Sequence, residues 1–140
     1  MRIIGLDLGT KTLGIAVSDL TETISTGLTT LRFSENNPKE IINDLKKIID
    51  EYQAKKIVIG LPKNMNNTLG DAVNRTRDFV SYLRTVFDFP IEEQDERLSS
   101  VSANKVLIDA DISRKKRKEK VDTVAATIIL QNYLDKKKGE

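Results

Sequence analysis

The alternation of hydrophobic and polar residues predicts three strands in the first quarter of the chain. Apolar runs at 2–8 and 13–19, joined by a turn at 9–12, are followed by a run rich in Thr, Ile and Leu at 23–31. Because the connections are short, we expect an antiparallel meander. Gly9 is the residue that we expect to supply a positive φ at the tip of the first hairpin.

The pattern then changes to the three- and four-residue spacing of helices. Apolar residues from Ile41 to Ile49 keep this spacing behind Pro38, which predicts an amphipathic helix over 38–53. The further elements that we expect are a strand at 56–59, a helix at 68–87, a strand at 90–94, and helices at 99–110 and 120–137 separated by a basic linker at 111–119.

This order of elements predicts an α/β fold over one domain, residues 1–140. A hairpin-linked trio followed by βα units implies a five-stranded mixed sheet covered by helices, with an antiparallel meander on one side and parallel strands on the other. The right-handed crossover rule places the fourth and fifth strands beside the first, which becomes central. We therefore expect the functional site at the carboxyl ends of the first, fourth and fifth strands, where open α/β sheets bind ligands.

The chain lacks three residue types that carry much of protein chemistry. It has no Cys, no His and no Trp among its 140 residues. These absences exclude disulfides, thiolate nucleophiles, Cys-ligated metals, a Ser-His-Asp triad and an HExxH zinc site. Carboxylates, amines and phenols are left, so hard divalent cations on oxygen ligands are the first chemistry to expect.

Charge is distributed unevenly along the chain although the net charge is only +2. From Arg97 to Glu140 the sequence has eleven Lys and Arg against six Asp and Glu, which favours a polyanionic partner. The longest apolar runs are far shorter than the roughly 18 residues of a membrane span. The chain starts directly with a strand-like segment, so we expect no signal peptide and a cytoplasmic protein with no membrane partner.

Three acidic segments are candidates for chemistry, and each also has a structural interpretation. Asp7 comes near the end of the first strand, where it could instead cap the turn before Gly9. Asp95-Glu96-Arg97 follows the fifth strand, where adjacent charges often form a solvated corner; spacing does not choose among Glu96, Glu92 and Glu93. Asp122 is expected in the first turn of the last helix, where the helix dipole alone would favour it, although its neighbours are nearly all apolar.

The segment 114–120 (RKKRKEK) is the most basic part of the chain. It could be a disordered charged loop, or it could contact the phosphates of a nucleic acid, and the two interpretations are compatible. Gly9–Gly14 fits neither of the usual phosphate-binding glycine patterns, because no Lys-Ser/Thr pair and no helix follow it.

The ordered set of motifs closely resembles the YqgF family, described as Holliday junction resolvase-like and as a pre-16S ribosomal RNA nuclease. The resemblance spans nearly the whole chain. The matching segments are 4–11 (IGLDLGTK) with 14–19 (GIAVSD), 60–62 (GLP) with Met65 and Gly70, 95–97 (DER) with Ser99-Ser100, and 121–122 (VD) with Ala125-Ala126 and 129–131 (ILQ).

The resemblance implies a ribonuclease H-like fold and metal-dependent hydrolysis of phosphodiester bonds. Carried over by motif, the catalytic and metal-binding acids are Asp7, Glu96 and Asp122, with Asp95 as an alternate to Glu96 and with Mg²⁺ or Mn²⁺ as the cofactor. The nucleic-acid-binding residues would be Lys11, Arg97, Arg114, Lys115, Lys116, Arg117 and Lys118. Thr12, Asn67 and Ser99-Ser100 depart from the family pattern, which concerns substrate contacts more than the chemistry.

Three functional hypotheses follow from the sequence. The first is a nuclease acting on structured RNA (a ribosomal RNA precursor, in maturation of the 16S 5′ end) or on branched DNA, as a Holliday junction resolvase does. The second is a nucleic-acid-binding module of ribosome maturation without chemistry of its own. The third, suggested by Asp7-Leu8-Gly9-Thr10, is an actin/hexokinase-type ATPase, which normally needs two such domains.

Overall fold

The structure, a computed structural model, describes residues 2–62, 70–96 and 114–138; for Pro62, 95–96, 114–122 and Lys138 it describes the backbone alone. The predicted helix at 99–110 therefore lies outside the described residues. The elements are β1 (Arg2–Leu8), β2 (Thr12–Ser18), β3 (Ser25–Arg32), a 3-10 turn (Pro38–Ile41), α1 (Ile42–Tyr52), β4 (Ala54–Pro62), α2 (Gly70–Val86), β5 (Ile91–Glu96) and α3 (Arg114–Lys138).

The five strands form one mixed sheet in the order β3-β2-β1-β4-β5. β1 pairs antiparallel with β2 and β2 antiparallel with β3, whereas β4 pairs parallel with both β1 and β5. The prediction of a mixed sheet with a central first strand is confirmed, but β5 lies beside β4 and not beside β1 as expected. The carboxyl ends of β1, β4 and β5 therefore lie at the same edge, which is where a ligand site was expected.

One face of the sheet packs against α1 and α2 through large apolar side chains. Alternation along β1 sends Ile4, Leu6 and Leu8 to this face. Their helical partners are aliphatic and aromatic side chains that recur at helical spacing: Ile41, Leu45, Ile49, Phe79, Val80 and Leu83. This layer forms the main hydrophobic core.

The opposite face of the sheet packs against α3 through smaller residues. Ile3, Ala16 and Val58 from three strands contact Ala126 and the apolar residues that follow it, Ile129, Leu130 and Leu134. Within the described part of the chain, no helix is both long and apolar enough to cross a membrane.

β4 is longer than predicted, Ala54–Pro62 rather than 56–59, and two further boundaries are wrong in charged segments. The residues 114–119 were expected in a linker, but α3 already begins at Arg114. β5 runs to Glu96 rather than ending at 94. Lys, Arg and Glu are good helix formers, so a basic run can simply extend a helix beyond its apolar part, and hydrogen bonding to β4 extends β5 without an apolar pattern.

Candidate functional site

Asp7 is a buried carboxylate on the face of the sheet that α3 covers. Strand alternation places it with Ile3 and Gly5, opposite the side chains of Leu6 and Leu8. Its residue is only 9% exposed. A carboxylate at this depth needs an interacting group, since burial disfavours the charged form. Asp7 is therefore a buried acid near the end of β1 and not a solvent-exposed residue.

The strands on both sides of Asp7 carry glycine beside it. Asp7 pairs with Gly14 of β2. On the other side Leu6 pairs with Ile59 of β4, and continuing this parallel register by one residue brings Asp7 beside Gly60. Because glycine has no side chain, the sheet around the carboxylate is a bare backbone floor, which leaves room for other groups between the sheet and α3.

α3 crosses β1 at a glycine, so the helix lies close to the strand. A Cβ atom on Gly5 would lie 2.7 Å from Leu130 Cβ and 3.2 Å from the carbonyl oxygen of Ala126. Positions 122, 126 and 130 are spaced by four and share one stripe of the helix. The backbone at position 122 thus lies on the stripe that faces β1, one turn before Ala126.

A hydrogen bond between α3 and β3 shows where the backbone of Asp122 lies. Thr123 hydrogen-bonds through its hydroxyl to the hydroxyl of Thr30. Thr30 pairs with Gly14, and Gly14 pairs with Asp7, so these three residues form one row across the sheet. The backbone of Asp122, next to Thr123, consequently lies above the row that contains Asp7.

The prediction that Asp122 stands in the first turn of the last helix is wrong. α3 begins at Arg114, eight residues earlier, so Asp122 lies in its third turn. A dipole effect confined to the first turn therefore cannot account for an acid at this position. The basic residues Arg114, Lys115, Lys116, Arg117 and Lys118 form the first turns of the same helix, rather than a linker before it.

The register of β5 separates Asp95 from Glu96. Glu92 lies on the α3 face, because it pairs with Val58 and contacts Lys56. Two alternations further along β5, position 96 belongs to the same face, whereas position 95 belongs to the opposite one. Position 96 pairs with Pro62, at the carboxyl end of the sheet and two strands from Asp7. Asp95 and Glu96 therefore lie within β5, not after it as predicted.

The hairpin tip that follows Asp7 presents an exposed lysine, Lys11. Its backbone is fixed from outside, since the Phe33 N–H donates to the Lys11 carbonyl (2.9 Å) and the Asn36 N–H to the Thr10 carbonyl (2.8 Å). The prediction of a positive φ at Gly9 is wrong, because every glycine in the described ranges has a φ outside that region. Gly9 instead permits close approach: a Cβ there would lie 3.1 Å from the Thr12 hydroxyl.

Part of the predicted site falls outside what the structure describes. Arg97 lies beyond the described residues, and the side chains of Glu96, Asp122 and the basic run 114–118 are not described. Among the side chains that are described, no group of three or more acidic residues could hold a metal ion. The structure therefore brings backbone positions 7 and 122 to one row and position 96 to the same face and edge.

The structure also shows a polar contact between α3 and β3 that the sequence interpretation missed. Thr127 lies against Gly27, whose Cβ would be 3.0 Å from the Thr127 hydroxyl. The Gln131 side chain accepts from the Ser25 N–H (2.9 Å) and donates to the Thr23 carbonyl (3.0 Å). The signal was available as Thr, Thr and Gln at 123, 127 and 131, spaced by four within an apolar segment.

The loop between β2 and β3 is organised around a single carboxylate, Asp19. It accepts hydrogen bonds from the Thr21 hydroxyl (2.6 Å) and from the backbone N–H groups of Thr23 (2.7 Å) and Ile24 (3.1 Å). These donors, with the Thr21 hydroxyl contributing most, lower the pKa of Asp19 to about 2. The loop between β2 and β3 is thus held by its own hydrogen bonds to Asp19 and by those with Gln131 of α3.

A charged network joins the far end of α3 to the sheet, away from Asp7. Lys56 Nζ donates to the Tyr133 hydroxyl (2.9 Å) and to Glu92 (3.4 Å). The hydrogen bond with Tyr133 is the main cause that raises the pKa of Lys56. The Tyr133 hydroxyl is also the main cause that lowers the pKa of Glu92, and the charge of Lys56 lowers it further. The network fixes the C-terminal half of α3, and both charged partners already have oppositely charged neighbours.

A groove of about 1100 Å³ lies between the segment 35–39 and α2, beside the hairpin tip. Its lining mixes both signs of charge, with Lys39 and Arg75 facing the groove together with Asp71 and Asp78. Lys39 also lies over the ring of Tyr82, 4.8 Å from its centroid. The groove lies on the α1/α2 side of the sheet, so it is separate from the face that holds Asp7.

Comparison with known proteins relates this chain to one family over nearly its whole length. The model of the RuvX family, described as Holliday junction resolvase, matches residues 1–136. A protein of Thermoanaerobacter pseudethanolicus named "Putative pre-16S rRNA nuclease" is 52% identical over 141 residues, covering all of both chains. A protein of Oceanobacillus iheyensis with the same name is 45% identical over 137 residues, covering 98% of this chain and all of the relative.

Solved structures of resolvases share the fold at low sequence identity. Thermus thermophilus RuvC in complex with a Holliday junction superposes with a TM-score of 0.61 at 14% identity, covering 99% of this chain and 96% of RuvC. The fowlpox virus resolvase in complex with a Holliday junction gives a TM-score of 0.53 at 12% identity, with 97% and 98% covered. The predicted ribonuclease H-like fold is confirmed, and the match over residues 1–136 shows that the chain belongs to the RuvX (YqgF) family.

Proposed function

We propose that this protein is a divalent-metal-dependent nuclease that hydrolyses phosphodiester bonds in the ribosomal RNA precursor, at the 5′ end of 16S rRNA, in the cytoplasm. The names of the relatives support the substrate. The observation that carries the proposal is the common location of three acids: positions 7, 96 and 122 belong to one side of the sheet at the carboxyl end of its parallel strands. The whole chain, 1–140, would form one nuclease domain.

Asp7, Glu96 and Asp122 would hold the Mg²⁺ or Mn²⁺. Three carboxylates in one place repel each other, and cations with oxygen ligands remove that repulsion. The glycines beside Asp7 support this assignment, because a bare backbone floor accepts ions and waters where larger side chains would exclude them. A bound divalent ion would supply activation of water and stabilisation of the negative charge that develops on the phosphate.

The basic residues would hold the phosphate backbone on the same edge. Lys11 is exposed in the turn between β1 and β2, which begins two residues after Asp7. Arg114, Lys115, Lys116, Arg117 and Lys118 precede Asp122 in α3, so their backbone extends from the acidic row away from the centre of the sheet. Together with Arg97, these residues would contact the phosphates around the scissile bond, which makes binding salt-dependent.

The register of β5 supports Glu96 over Asp95 as the second acid. Position 96 shares the α3 face with Asp7, and position 95 belongs to the opposite face. We therefore expect Glu96→Gln to abolish cleavage and Asp95→Asn to retain most of it. The reverse result would assign the role to Asp95.

Cleavage of a 5′-extended 16S rRNA precursor by the purified protein tests the proposal. We expect cleavage that requires Mg²⁺ or Mn²⁺ and stops with EDTA, and a loss of at least about 100-fold in Asp7→Asn, the scale on which one charged group acts on a transition state. Asp44→Asn, the same change on the exposed surface of α1, is the matched control and should cleave as the wild type does.

Two other outcomes would redirect the assignment. Metal-dependent cleavage of a four-way DNA junction in preference to the RNA precursor would make the protein a resolvase-like endonuclease. Binding of either nucleic acid without metal-dependent cleavage, and without Mg²⁺ binding that depends on Asp7, would make it a binding module.

A further inference from the structure

α3 carries a polar stripe, Thr123, Thr127 and Gln131, along the side that faces β3. The three residues are spaced by four, so they lie one above the other on the helix. Each contacts β3 or the loop before it: Thr123 bonds to Thr30, Thr127 lies over Gly27, and Gln131 binds two backbone groups at residues 23 and 25. The Thr127 hydroxyl donates to the Thr123 carbonyl of its own helix (2.8 Å), so the directional contacts with β3 are those of Thr123 and Gln131 at the two ends of the stripe.

The apolar contact beside the stripe brings α3 close to β1 but sets its register less strictly than a hydrogen bond does. At Gly5 the strand has no side chain to interlock with the helix, and the nearest atoms of α3 are Leu130 Cβ and the carbonyl oxygen of Ala126. Apolar contacts are non-directional, so they define distance better than register. Hydrogen bonds have strict distances and angles, and the loss of the partner of a partly buried hydroxyl destabilises the folded protein.

The Thr123–Thr30 bond stands at the row of Asp7. Thr30, Gly14 and Asp7 are successive partners across three strands. Thr123 is the neighbour of Asp122 in the chain. Going from Ala126 back to position 122 covers roughly 6 Å along the helix, and going from Gly5 to Asp7 covers roughly 7 Å along the strand. Because Ala126 lies over Gly5, position 122 lies at about the height of Asp7.

We propose that the hydroxyl pair of Thr30 and Thr123 is a positioning device that holds Asp122 in register with Asp7 for metal binding. This inference rests on the proposed function and adds residues that touch neither metal nor substrate. It explains why a hydroxyl-to-hydroxyl contact occurs at the row of Asp7, where an error in helix register would separate the two acids.

The experiment replaces each hydroxyl by a methyl group of the same shape. Thr123→Val, Thr30→Val and the double variant are compared with Thr29→Val, an exposed threonine of the same strand that pairs with Ile15 on the other face. Cleavage of the RNA precursor gives kcat and KM, and calorimetry gives the affinity of the substrate-free protein for Mn²⁺. Urea unfolding gives the stability of each variant.

We expect each valine variant at the pair to lose about tenfold or more in Mn²⁺ affinity and in kcat, the scale on which groups that orient metal ligands act. KM should stay within about twofold, because neither hydroxyl is among the proposed nucleic-acid contacts. Thr29→Val should match the wild type. Thr30→Ser and Thr123→Ser should recover most of the loss, since serine keeps the hydroxyl.

A purely structural role would lower the unfolding free energy and leave kcat and Mn²⁺ affinity of the folded protein unchanged, and that result would overturn the inference. Failure of the proposed function gives a different pattern. In that case the wild type itself neither cleaves nor binds Mn²⁺ differently from Asp7→Asn, whereas failure of the inference alone leaves an active wild type and equally active valine variants.

Discussion

The two faces of the sheet are packed on opposite principles. On the α1/α2 face, branched and aromatic side chains such as Leu45, Phe79 and Leu83 fill the space between layers. On the α3 face, glycine and alanine meet directly, as Gly5 and Ala126 do, and hydrogen bonds along β3 complete the contact. The first face buries more apolar surface, and the second brings a helix backbone close to a strand that carries a buried acid.

This difference shows what each face contributes. Stability depends mainly on buried apolar area, which the α1/α2 face supplies. Small residues on the α3 face contribute less to stability, but they let acidic positions from a strand and a helix come together without bulk between them. The predictions below separate the two contributions, because each changes one face and leaves the other intact.

Leu45→Ala should give the largest loss of stability. Leu45 lies on the buried face of α1 and is fully buried. A Leu-to-Ala change in a core costs about 2–5 kcal/mol, because transfer energy is lost and a cavity is left unfilled. Urea unfolding measures this loss, with Leu20→Ala as control, since Leu20 is 62% exposed and should change stability by less than about 0.5 kcal/mol.

The same variant tests whether the faces are separate. Below its unfolding transition, Leu45→Ala should keep the cleavage rate of the wild type per folded molecule. A rate that falls with the stability even where the protein is fully folded would mean that the α1/α2 core sets the geometry around Asp7, contrary to the comparison.

Gly5→Ala should have a smaller effect on stability but a greater effect on activity. The added methyl would lie 2.7 Å from Leu130 Cβ and 3.2 Å from a backbone oxygen of α3, so the helix must move, at a cost of about 1–3 kcal/mol for overpacking. Movement of α3 shifts position 122 against Asp7. Cleavage by the folded variant should therefore fall, while Gly70→Ala, where nothing lies within 4 Å of the new methyl, should cleave normally.

The contrast between the faces also explains what the sequence could predict. The apolar patterns gave β1 and β2 nearly to the residue, because large apolar residues on the α1/α2 face carry a strong pattern. They also gave α1, although its first four predicted residues form the 3-10 turn Pro38–Ile41. General rules of connection gave the central place of β1 with β4 parallel beside it, but not the place of β5 beside β4. The prediction failed where polar residues extend an element, as in β5 and in the first turns of α3.

The candidate site was predicted only in part, for the same reason. Asp7 and Asp122 were candidates from their places in the predicted elements, but only the family resemblance combined them with Glu96 into one acidic set. That position 96 lies on the face of Asp7 follows from pairing with β4, which a single sequence does not contain. The contacts of Thr123 and Gln131 with β3 join residues about a hundred positions apart, so local patterns could suggest the stripe but not its partner.

The smallest expected effect concerns the loop that α3 holds through Gln131. Three hydrogen bonds lower the pKa of Asp19 to about 2, whereas an unperturbed Asp titrates near 3.9. Because the folded-state pKa is depressed, the contribution of Asp19 to stability is fully present above pH 3.9 and is lost as the pH falls toward 2. NMR titration of the Asp19 carboxyl should give the low value directly. Thr21→Val, which removes the donor that contributes most, should raise the pKa and Thr21→Ser should not. Titration of wild-type Asp19 near 3.9 would mean that the loop is not ordered by these bonds, and the α3 face would then depend on Gln131 and the threonines alone.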